Sequence, residues 1–424
     1  MLKKCVITII FMQLVPIVTD SCPTPTLTML PIRLHLLAIP HTITRDEYSH
    51  CAFTGKVQRF SPMMRSRGFE VYHYGIETSK SGANVDIDLL TVNEWNKLRV
   101  ESYVQLHPEI SVEDAEAKLN DHTQFIGDLG NITTPLYKEF NKRLAIALKQ
   151  NYRSCAIDIV CLPFGPAHES AIKDLHCVAI ETGIGYPNSY KPFRIFESYA
   201  KLNGTMQQRN IPIANYFFVI PNYYNILEFP LSLNPDKKKI GFLGRLCIIK
   251  GCNIFVDVAK QFPHIDFILC GQGSPDDYLK SPNVHYKPPI CGAERGEYLG
   301  SLTALIAPSK YIEPFCGVSV EAQLCGTPVI THDYGGLVET VEPFKTGLHC
   351  HTLTDFCYGV QMALDGKFDR TYIRNRAVRK YDMYNLAAKY EYVFRNVLNI
   401  SNGKNGWYAK ESYIELLKEN VDIR

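Results

Sequence analysis

This sequence lacks an excess of either charge: 45 Lys and Arg residues are balanced by 43 Asp and Glu residues, for a formal net charge of +2. The extended basic surface typical of nucleic-acid-binding proteins is therefore not indicated, and we expect no nucleic-acid partner. A small ligand that carries phosphate needs only a local basic cluster. The charge balance therefore leaves that class of ligand open.

Cysteine and histidine spacing typical of metal sites is also missing, although cysteine is not scarce. None of the 14 Cys residues forms a CxxC pair or a Cys/His spacing of the zinc type. Several, such as Cys161 and Cys270, stand inside apolar strand-like runs. This distribution favours buried thiols in a reducing compartment over a disulfide framework.

The apolar run Cys5–Val18 is too short and too interrupted by proline for a membrane-spanning helix. It resembles the apolar part of a secretion signal, although a small-residue cleavage site is not clear. Met29 stands directly before a normal first β-strand, so residues 1–28 are expected to be an extension, signal-like or disordered. We expect a cytoplasmic protein, with a secretory route as the alternative if residues 1–22 act as a signal.

Strand-like and helix-like runs alternate along both halves of the chain, which is typical of an α/β fold with open parallel sheets. The length of 424 residues suits two domains. A segment rich in Pro, Asn and Lys, 220–239, separates the two series. We predict an N-terminal domain over 29–228, a C-terminal domain over 229–390, and a C-terminal helix and tail over 391–424.

The predicted elements define where ligands would bind. Strands are predicted over 33–39, 70–75, 157–162, 177–181, 239–243, 266–270, 284–287, 304–307 and 328–331. Helices are predicted over 49–67, 135–150, 253–262, 293–301 and 317–325, and one or two helices over 369–398. Two open α/β domains in tandem place a ligand crevice between them, at the carboxyl ends of the strands.

The most informative stretch is Glu313-Pro-Phe-Cys-Gly-Val-Ser-Val-Glu321, which lies between two strand-like runs. The helix predicted inside it ends at Gly326, so one carboxylate precedes the helix and the other lies in its first turns. The free N–H groups and the dipole of a helix N-terminus favour phosphate. The two carboxylates can accept hydrogen bonds from hydroxyl groups. Phosphate beside a polyhydroxyl group is typical of a sugar nucleotide.

A second stretch, Gly241–Gly251, supplies positive charge. A strand is predicted to end just before Gly244, which lets the backbone approach a ligand. Arg245 and Lys250 flank this loop, and two cations at a strand end suit a diphosphate. Alone, the loop is more typical of a solvated surface; together with the Glu313–Glu321 segment, a diphosphate site becomes the favoured interpretation.

Two further glycine-containing loops follow predicted strands. Gly271-Gln-Gly273 resembles a turn that lets a ligand come close, although an ordinary turn explains it equally well. Tyr334-Gly-Gly336 follows the strand after the predicted helix. Its position at a strand end favours a place in the wall of the crevice over a plain turn.

Taken together, these segments resemble the retaining glycosyltransferases of family 4, which have the GT-B fold. The family signature Glu-x7-Glu is matched by Glu313 and Glu321, and the family's Arg and Lys on the first strand-end loop of the C-terminal domain are matched by Arg245 and Lys250. Three more segments look like a subgroup of these enzymes: Gly183-Ile-Gly-Tyr, Phe196-Glu-Ser-Tyr-Ala200 and Val219-Ile-Pro-Asn222. The likeness covers roughly residues 31–400 and is far more specific in the C-terminal half.

The resemblance implies two Rossmann-like domains that face each other across a crevice, and transfer of a sugar from a nucleotide-diphosphate sugar to an acceptor hydroxyl with retention of configuration. Glu321 would hold the nucleotide ribose and Glu313 the hydroxyls of the donor sugar. Arg245 and Lys250 would bind the diphosphate. The other donor-binding positions would be Gly244, Gly271, Gly273, Phe315, Cys316, Gly317 and Val318.

No cofactor and no metal are expected, because the cationic loop would neutralise the diphosphate of the co-substrate. Asp86-Ile-Asp88 looks like the metal motif of a different transferase architecture, but its flanks favour a pair of surface carboxylates. The resemblance assigns the acceptor to the N-terminal domain. The acceptor would be a glycan, or a group linked to lipid or protein, with peripheral membrane contact as one option.

The N-terminal domain offers fewer site residues. The loop His41–His50 follows the first predicted strand and carries Thr44-Arg45-Asp46 where the family usually has Gly-Gly. His168 follows another strand; contact with the transferred sugar and a structural role are equally compatible with its position. In the C-terminal domain, Cys316 stands where many family members have glycine.

Two other classes of function fit part of this pattern. A glycoside hydrolase would use Glu313 and Glu321 as its two carboxylates, but it has no diphosphate for Arg245 and Lys250 to stabilise. A non-catalytic module of the same fold would bind the nucleotide sugar without transferring it. The four charged residues together favour the transferase.

Overall fold

Two separate parallel β-sheets organise this protein, as the alternation of strand-like and helix-like runs predicts. The structure, a computed structural model, describes residues 30–214 and 216–403. Within that part of the chain, all pairings between named strands are parallel. Parallel strands need crossovers that place helices on the faces of a sheet, so both faces become buried.

The first sheet lies in the N-terminal half. Its seven strands are β1 (Arg33–Leu37), β2 (Glu70–Ile76), β3 (Val85–Leu90), β4 (Asp158–Leu162), β5 (Ala179–Ile184), β6 (Phe193–Phe196) and β7 (Phe217–Val219). They lie in the order β3-β2-β1-β4-β5-β6-β7. The direction of winding reverses between β1 and β4, and such a reversal opens a crevice at the carboxyl ends of the strands.

The second sheet repeats this plan. Its six strands are β8 (Asp236–Leu243), β9 (Asp266–Cys270), β10 (Val284–Lys287), β11 (Leu302–Ala307), β12 (Val329–His332) and β13 (Gly347–Cys350). The order is β10-β9-β8-β11-β12-β13, so the winding reverses between β8 and β11. The carboxyl ends of β8 and β11 are therefore the expected place for a ligand of this sheet.

Helices cover both sheets. The first sheet is accompanied by α1 (Ala52–Arg65), α2 (Val92–Leu106), α3 (Val112–Asn120), α4 (Pro135–Asn151), α5 (Glu169–Ile172) and α6 (Tyr199–Arg209). The second is accompanied by α7 (Cys252–Ala259), α8 (Gly292–Ser301), α9 (Gly317–Leu324), α10 (Leu337–Thr340), α11 (Leu353–Leu364) and α12 (Arg370–Tyr381). Every residue of β4 and of β11 is buried, as expected for central strands covered on both faces.

The last described helix, α13 (Met383–Ser401), returns from the second sheet to the first. Its side chains Tyr390 and Phe394 are 1% and 0% exposed and pack on Phe60 of α1, with ring centroids 5.9 and 6.1 Å apart. This helix belongs to the core of the first sheet because its apolar stripe is buried there. The domain boundary that the sequence suggests at residue 390 stays a prediction.

The chain thus crosses between the two sheets twice, and the two crossings run side by side. The amide of Tyr224 donates to the carbonyl of Tyr381 at 2.8 Å, and the amide of Met383 donates to the carbonyl of Tyr224 at 2.9 Å. These two paired segments are the backbone connections between the sheets, so a movement of one sheet relative to the other would require a change of dihedral angles there.

A region between β2 and α4 contains elements that the sequence interpretation did not predict. Asp86 and Asp88 lie on β3 at the edge of the sheet, and both are exposed. The carboxylate of Asp86 lies 2.8 Å from Nδ1 of the buried His73. Helix α2 starts with a capping box in which Thr91 and Glu94 bond each other's backbone, and this Thr-x-x-Glu spacing was a signal present in the sequence.

Among residues 30–214 and 216–403, no helix combines the length and the apolar character that a membrane crossing requires. The extension predicted over 1–28 lies outside the described residues. Its interpretation as a secretion signal is therefore a prediction from the sequence alone.

Candidate active site

The loops after β8 and β11 meet at the point where the second sheet reverses its winding. Lys250 comes from the loop after β8, and Glu313 comes from the loop after β11. Nζ of Lys250 lies 2.6 Å from Oε1 of Glu313, whose side chain is 4% exposed. Two residues 63 positions apart in the sequence thus form a largely buried ion pair in the expected ligand position.

Two hydroxyl groups complete the environment of Glu313. Ser309 donates to Oε1 at 2.6 Å, and Tyr311 donates to Oε2 at 2.5 Å. Burial raises the pKa of Tyr311 to about 12, and the negative charge of Glu313 contributes to that shift. Burial alone would lower the pKa of Lys250, but the negative charge of Glu313 outweighs it and raises this pKa. Lys250 therefore stays positively charged at neutral pH.

Glu321 lies in α9, and a single neighbour holds it. Nε and Nη2 of Arg295, in α8, both lie close to Oε2 of Glu321, at 2.6 and 2.5 Å. Oε1 has no hydrogen-bond partner among the residues that the structure describes. Arg295 therefore fixes the carboxylate while one of its oxygens stays available to a hydroxyl group. Nothing in the sequence distinguished Arg295 from other polar residues of a surface helix.

Helix α9 begins at Gly317, as the sequence predicts, directly after the strained residue Cys316. Cys316 has φ of 68° and ψ of 74°, in the left-handed region that favours glycine. This conformation gives a physical reason why glycine suits this position. The ring of Phe315 is buried against Tyr381, with centroids 5.9 Å apart, so only its backbone is available to a ligand. Val318 is partly buried in the first turn of α9.

Glycines allow close contact between the backbones of the loop after β8 and the loop after β9. The amide of Gly244 donates to the carbonyl of Cys270 at 3.0 Å, and the amide of Leu246 donates to the carbonyl of Gln272 at 2.7 Å. A Cβ atom on Gly271 would lie 1.8 Å from the carbonyl oxygen of Gly244. Glycine at this position is therefore required by packing between the two loops.

Arg245 does not contact the Lys250–Glu313 pair through any hydrogen bond that the described residues contain. Its guanidinium lies 4.4 Å from the ring centroid of Phe125, which belongs to the first domain. The same segment of the first domain accepts a hydrogen bond from the amide of Gly273 at 2.9 Å, through the carbonyl of Thr123. The segment between α3 and α4 thus covers the loops that carry Gly244 and Gly273. This contact was not predicted from the sequence.

The first domain also touches the loop that carries Glu313. Ser198, which caps α6, donates to the carbonyl of Pro314 at 2.5 Å. The carboxylate of Glu339 accepts from the amides of Tyr199 and Ala200, at 3.1 and 2.8 Å. An acidic side chain at a helix N-terminus is favourable, so these contacts hold the two domains together beside the site.

The loop Tyr334-Gly-Gly336 supports the backbone of Glu313. The amide of Gly336 donates to the carbonyl of Glu313 at 2.7 Å, and the hydroxyl of Tyr334 donates to the carbonyl of Ser309 at 2.7 Å. A Cβ atom on Gly335 would lie 2.8 Å from the Glu313 carbonyl oxygen. This loop therefore positions the residue that precedes α9.

His168 follows β4, as predicted, but its side chain is fully buried. Nδ1 lies 2.9 Å from Oδ1 of Asn141, in α4. Burial lowers the pKa of His168 to about 3, so the imidazole is neutral at neutral pH. These contacts agree with the structural alternative for His168. Its contact with a transferred sugar stays a prediction that this buried position does not support.

The loop after β1 faces the second domain. Burial lowers the pKa of His50, and the positive charge of Arg295 lowers it further. Burial and the charge of Glu294 raise the pKa of Cys291, and the negative charges of Glu47 and Asp46 in the first domain raise it further. Charged groups of the two domains are thus close enough to influence each other across the crevice.

Comparison with protein families agrees with this geometry. Residues 225–377 match the family model described as Glycosyl transferases group 1. That match covers the whole of the second sheet and the loops that carry Arg245, Lys250, Glu313 and Glu321. The chain therefore contains a glycosyl transferases group 1 domain.

Curated relatives match shorter stretches. A D-inositol 3-phosphate glycosyltransferase of Paenarthrobacter aurescens is 31% identical over 133 residues, which are 28% of this chain and 32% of that protein. An uncharacterized glycosyltransferase of Methanocaldococcus jannaschii is 28% identical over 182 residues, 39% of this chain and 46% of that protein. The matched stretches thus span less than half the length of these relatives.

Solved structures match over most of both chains. AviGT4, a glycosyltransferase involved in avilamycin A biosynthesis, has a TM-score of 0.58 and 18% identity, with 87% of this chain and 98% of that chain covered. Anabaena HepE in complex with UDP and glucose has a TM-score of 0.60 and 16% identity, with 86% and 99% covered. The predicted fold is confirmed: two parallel-sheet α/β domains arranged as in GT-B glycosyltransferases.

Proposed function

We propose that this protein is a glycosyltransferase that moves a sugar from a nucleotide-diphosphate sugar to an acceptor hydroxyl. The observation that carries the proposal is the buried Lys250–Glu313 pair at the start of α9, where the second sheet reverses its winding. A cation beside a helix N-terminus suits a diphosphate, and a buried carboxylate suits sugar hydroxyls. The glycosyl transferases group 1 domain contains all of these residues.

In the proposed reaction, charge develops on the diphosphate as its bond to the sugar breaks. Arg245, Lys250 and the first amides of α9 would stabilise that charge. Glu313 would position the sugar, and the free oxygen of Glu321 would accept from a ribose hydroxyl. Retention of configuration and the absence of a metal requirement are part of the proposal, and both rest on the resemblance to family 4.

Domain closure is the second part of the proposed mechanism. The paired crossings at Tyr224 and Asp382 provide a hinge, and the contacts of Ser198 with Pro314 join the domains next to the site. Closure of this kind excludes water and so suppresses hydrolysis of the donor. The acceptor would enter from the first domain, beside the loop after β1.

The relatives suggest which compounds to test first. Because HepE was solved with UDP and glucose, UDP-sugars are the first donors to examine, and because one relative is named for D-inositol 3-phosphate, inositol phosphates are the first acceptors. A thermal-shift panel of nucleoside diphosphates and nucleotide sugars would identify the donor, since a ligand of the folded state raises the melting temperature by mass action. Glycan-, lipid- and protein-linked acceptors complete the panel.

Release of nucleoside diphosphate then tests the reaction itself. We expect release with the matching donor to increase when the matching acceptor is added, with one glycosylated product for each nucleotide released. Sugar freed from an oligosaccharide without any nucleotide would instead establish the hydrolase. Nucleotide binding without transfer to any acceptor would establish the non-catalytic module.

Arg295 gives a prediction about donor binding. Replacing Arg295 by Ala is expected to raise KM for the donor by about 10- to 100-fold, because a charge-assisted contact that fixes Glu321 is worth roughly 1.5–3 kcal/mol. Turnover at saturating donor should change much less, since ribose binding is alike in the ground and transition states. Steady-state kinetics with varied donor measure both quantities.

Two further variants control this experiment. Arg295→Lys should recover part of the donor affinity, because it restores a positive charge but only one point of contact. Glu297→Gln, at an exposed position of the same helix, should leave both constants unchanged. A fall in turnover with unchanged KM would contradict the positioning role of Arg295.

A further inference from the structure

A chain of three polar side chains lies at the start of α1, apart from the donor site. Sγ of Cys51 lies 3.5 Å from Nε2 of His41. Nδ1 of the same ring lies 3.1 Å from the hydroxyl of Tyr137, which is fully buried. Both ring nitrogens of His41 thus have partners, and the ring is held with one edge toward the sulfur.

Several features stabilise a negative charge on this sulfur. Cys51 directly precedes α1, a helix of 14 residues, and a helix N-terminus favours an anion. Burial raises the pKa of Cys51, but the hydrogen bond and charge of His41, together with the nearby polar groups of Thr54, outweigh it and bring this pKa down to about 6. Cys51 is partly exposed as a residue, and the labelling described below measures whether a small reagent reaches its sulfur.

Three other partly buried cysteines differ from Cys51 in the direction of their pKa shift. Cys291 and Cys357 are also partly buried, and burial raises the pKa of both. Burial raises the pKa of Cys177 to about 11. The contact with His41 therefore distinguishes Cys51 from these three thiols.

We propose that Cys51 is a reactive thiol that forms mixed disulfides with small disulfides, and that His41 keeps its sulfur deprotonated. The thiolate attacks one sulfur of the small disulfide, a new S–S bond forms, and the old S–S bond breaks. The leaving thiolate takes a proton from water and departs as a thiol. Cys51 is oxidised and the small disulfide is reduced, so no other oxidant is needed.

The position of Cys51 determines where the group added by a mixed disulfide would lie. Cys51 closes the loop that follows β1, and burial together with the positive charge of Arg295, in the second domain, lowers the pKa of His50 in that loop. A mixed disulfide would place its added group at the carboxyl edge of the first sheet, where the crevice opens. The thiol chemistry itself does not depend on the proposed glycosyl transfer, so a test of one can fail without the other.

The full chain is treated with a dipyridyl disulfide at a series of pH values, and the modified peptides are quantified by mass spectrometry. We expect the rate at Cys51 to reach half of its maximum near pH 6. At that pH about half of Cys51 should be thiolate, whereas well below one per cent of an ordinary cysteine is thiolate. The lower pKa of Cys51 reduces the nucleophilicity of its thiolate by about tenfold. The net rate should be about tenfold higher than at Cys291 and Cys357.

His41→Gln should move the midpoint at Cys51 up by more than one pH unit and slow the reaction at about pH 6 roughly tenfold. Tyr137→Phe keeps the ring volume and removes the partner of Nδ1 of His41, so it should shift the pH midpoint at Cys51 upward by a smaller amount. This variant replaces His41→Gln in the test if His41→Gln does not fold. His107→Gln, a histidine at the end of α2, should leave the profile unchanged. A midpoint near that of an ordinary thiol, or a profile that His41→Gln leaves unchanged, would overturn the proposal.

Discussion

Replacing Arg245 by Ala, or Lys250 by Ala, is expected to lower turnover by about two to four orders of magnitude. Each side chain supplies a positive charge at the carboxyl end of β8, where the proposed diphosphate leaves. The loss should appear in turnover and not mainly in KM, because the charge on the leaving group grows as the bond to the sugar breaks. Single-turnover measurements with saturating donor separate this step from product release.

The two variants should differ in stability. Lys250 is the partner of the buried Glu313, so Lys250→Ala leaves a carboxylate with one donor fewer and should cost about 1–3 kcal/mol of unfolding free energy. Arg245 makes a ring contact with Phe125, and its loss should cost about 1 kcal/mol or less. Thermal unfolding of both variants beside the wild type measures this difference.

Lys260→Ala is the matched control for these variants. Lys260 directly follows α7, is exposed, and pairs only with Asp257 at the surface, so its replacement should alter neither turnover nor folding appreciably. Turnover within a few-fold of wild type in both Arg245→Ala and Lys250→Ala would refute the assigned role of the cationic loop.

Glu313→Gln is expected to lower kcat/KM by about a hundredfold to a thousandfold, because it disturbs more than one charge-assisted hydrogen bond of about 1.5–3 kcal/mol each. The carboxylate accepts from Lys250, Ser309 and Tyr311, and all three are donors. A glutamine has a single acceptor oxygen, so its NH₂ group must face one of these donors. Initial rates with the identified donor and acceptor measure the loss.

Tyr311→Phe provides the comparison for Glu313→Gln. It keeps the carboxylate and removes one of its three donors, so we expect a loss of roughly tenfold. A loss in Tyr311→Phe as large as that in Glu313→Gln would indicate that the hydroxyl, and not the carboxylate, is the important group. Activity of Glu313→Gln close to the wild type would exclude Glu313 from the site.

Much of the fold was predictable because the pattern of apolar residues in a short stretch indicates which of its side chains are buried. The predicted strands over 266–270 and 284–287 coincide with β9 and β10, and the helix predicted to start at Gly317 does start there. Strand β3 was missed because it is an exposed edge strand without an apolar run, whereas α2 was missed although the sequence carried its capping-box signal. The return of α13 to the first sheet could not be predicted, because an amphipathic helix does not specify which surface covers its apolar side.

Most of the candidate site residues of the C-terminal domain lie where the sequence predicts them. Lys250 and Glu313 were selected from two separate loops, and the structure brings them into contact. Glu321 and Gly317 also lie where the motif implies. The roles of all these residues stay predictions until the variants are measured. His168, by contrast, is buried, since a strand end can point a side chain into the core as well as into the crevice.

The two α/β domains and the charged motif after β8 and β11 could be predicted from the amino-acid sequence, because periodicity and glycine placement act over short stretches of chain. Three contacts became visible only in the folded protein: Arg295 holds one oxygen of Glu321, Phe125 covers Arg245, and His41 contacts Cys51. The first two contacts join different elements of the fold, and the third joins the two ends of the loop after β1. They depend on how the elements pack, and packing depends on the summed shape and burial of many side chains and not on any local pattern.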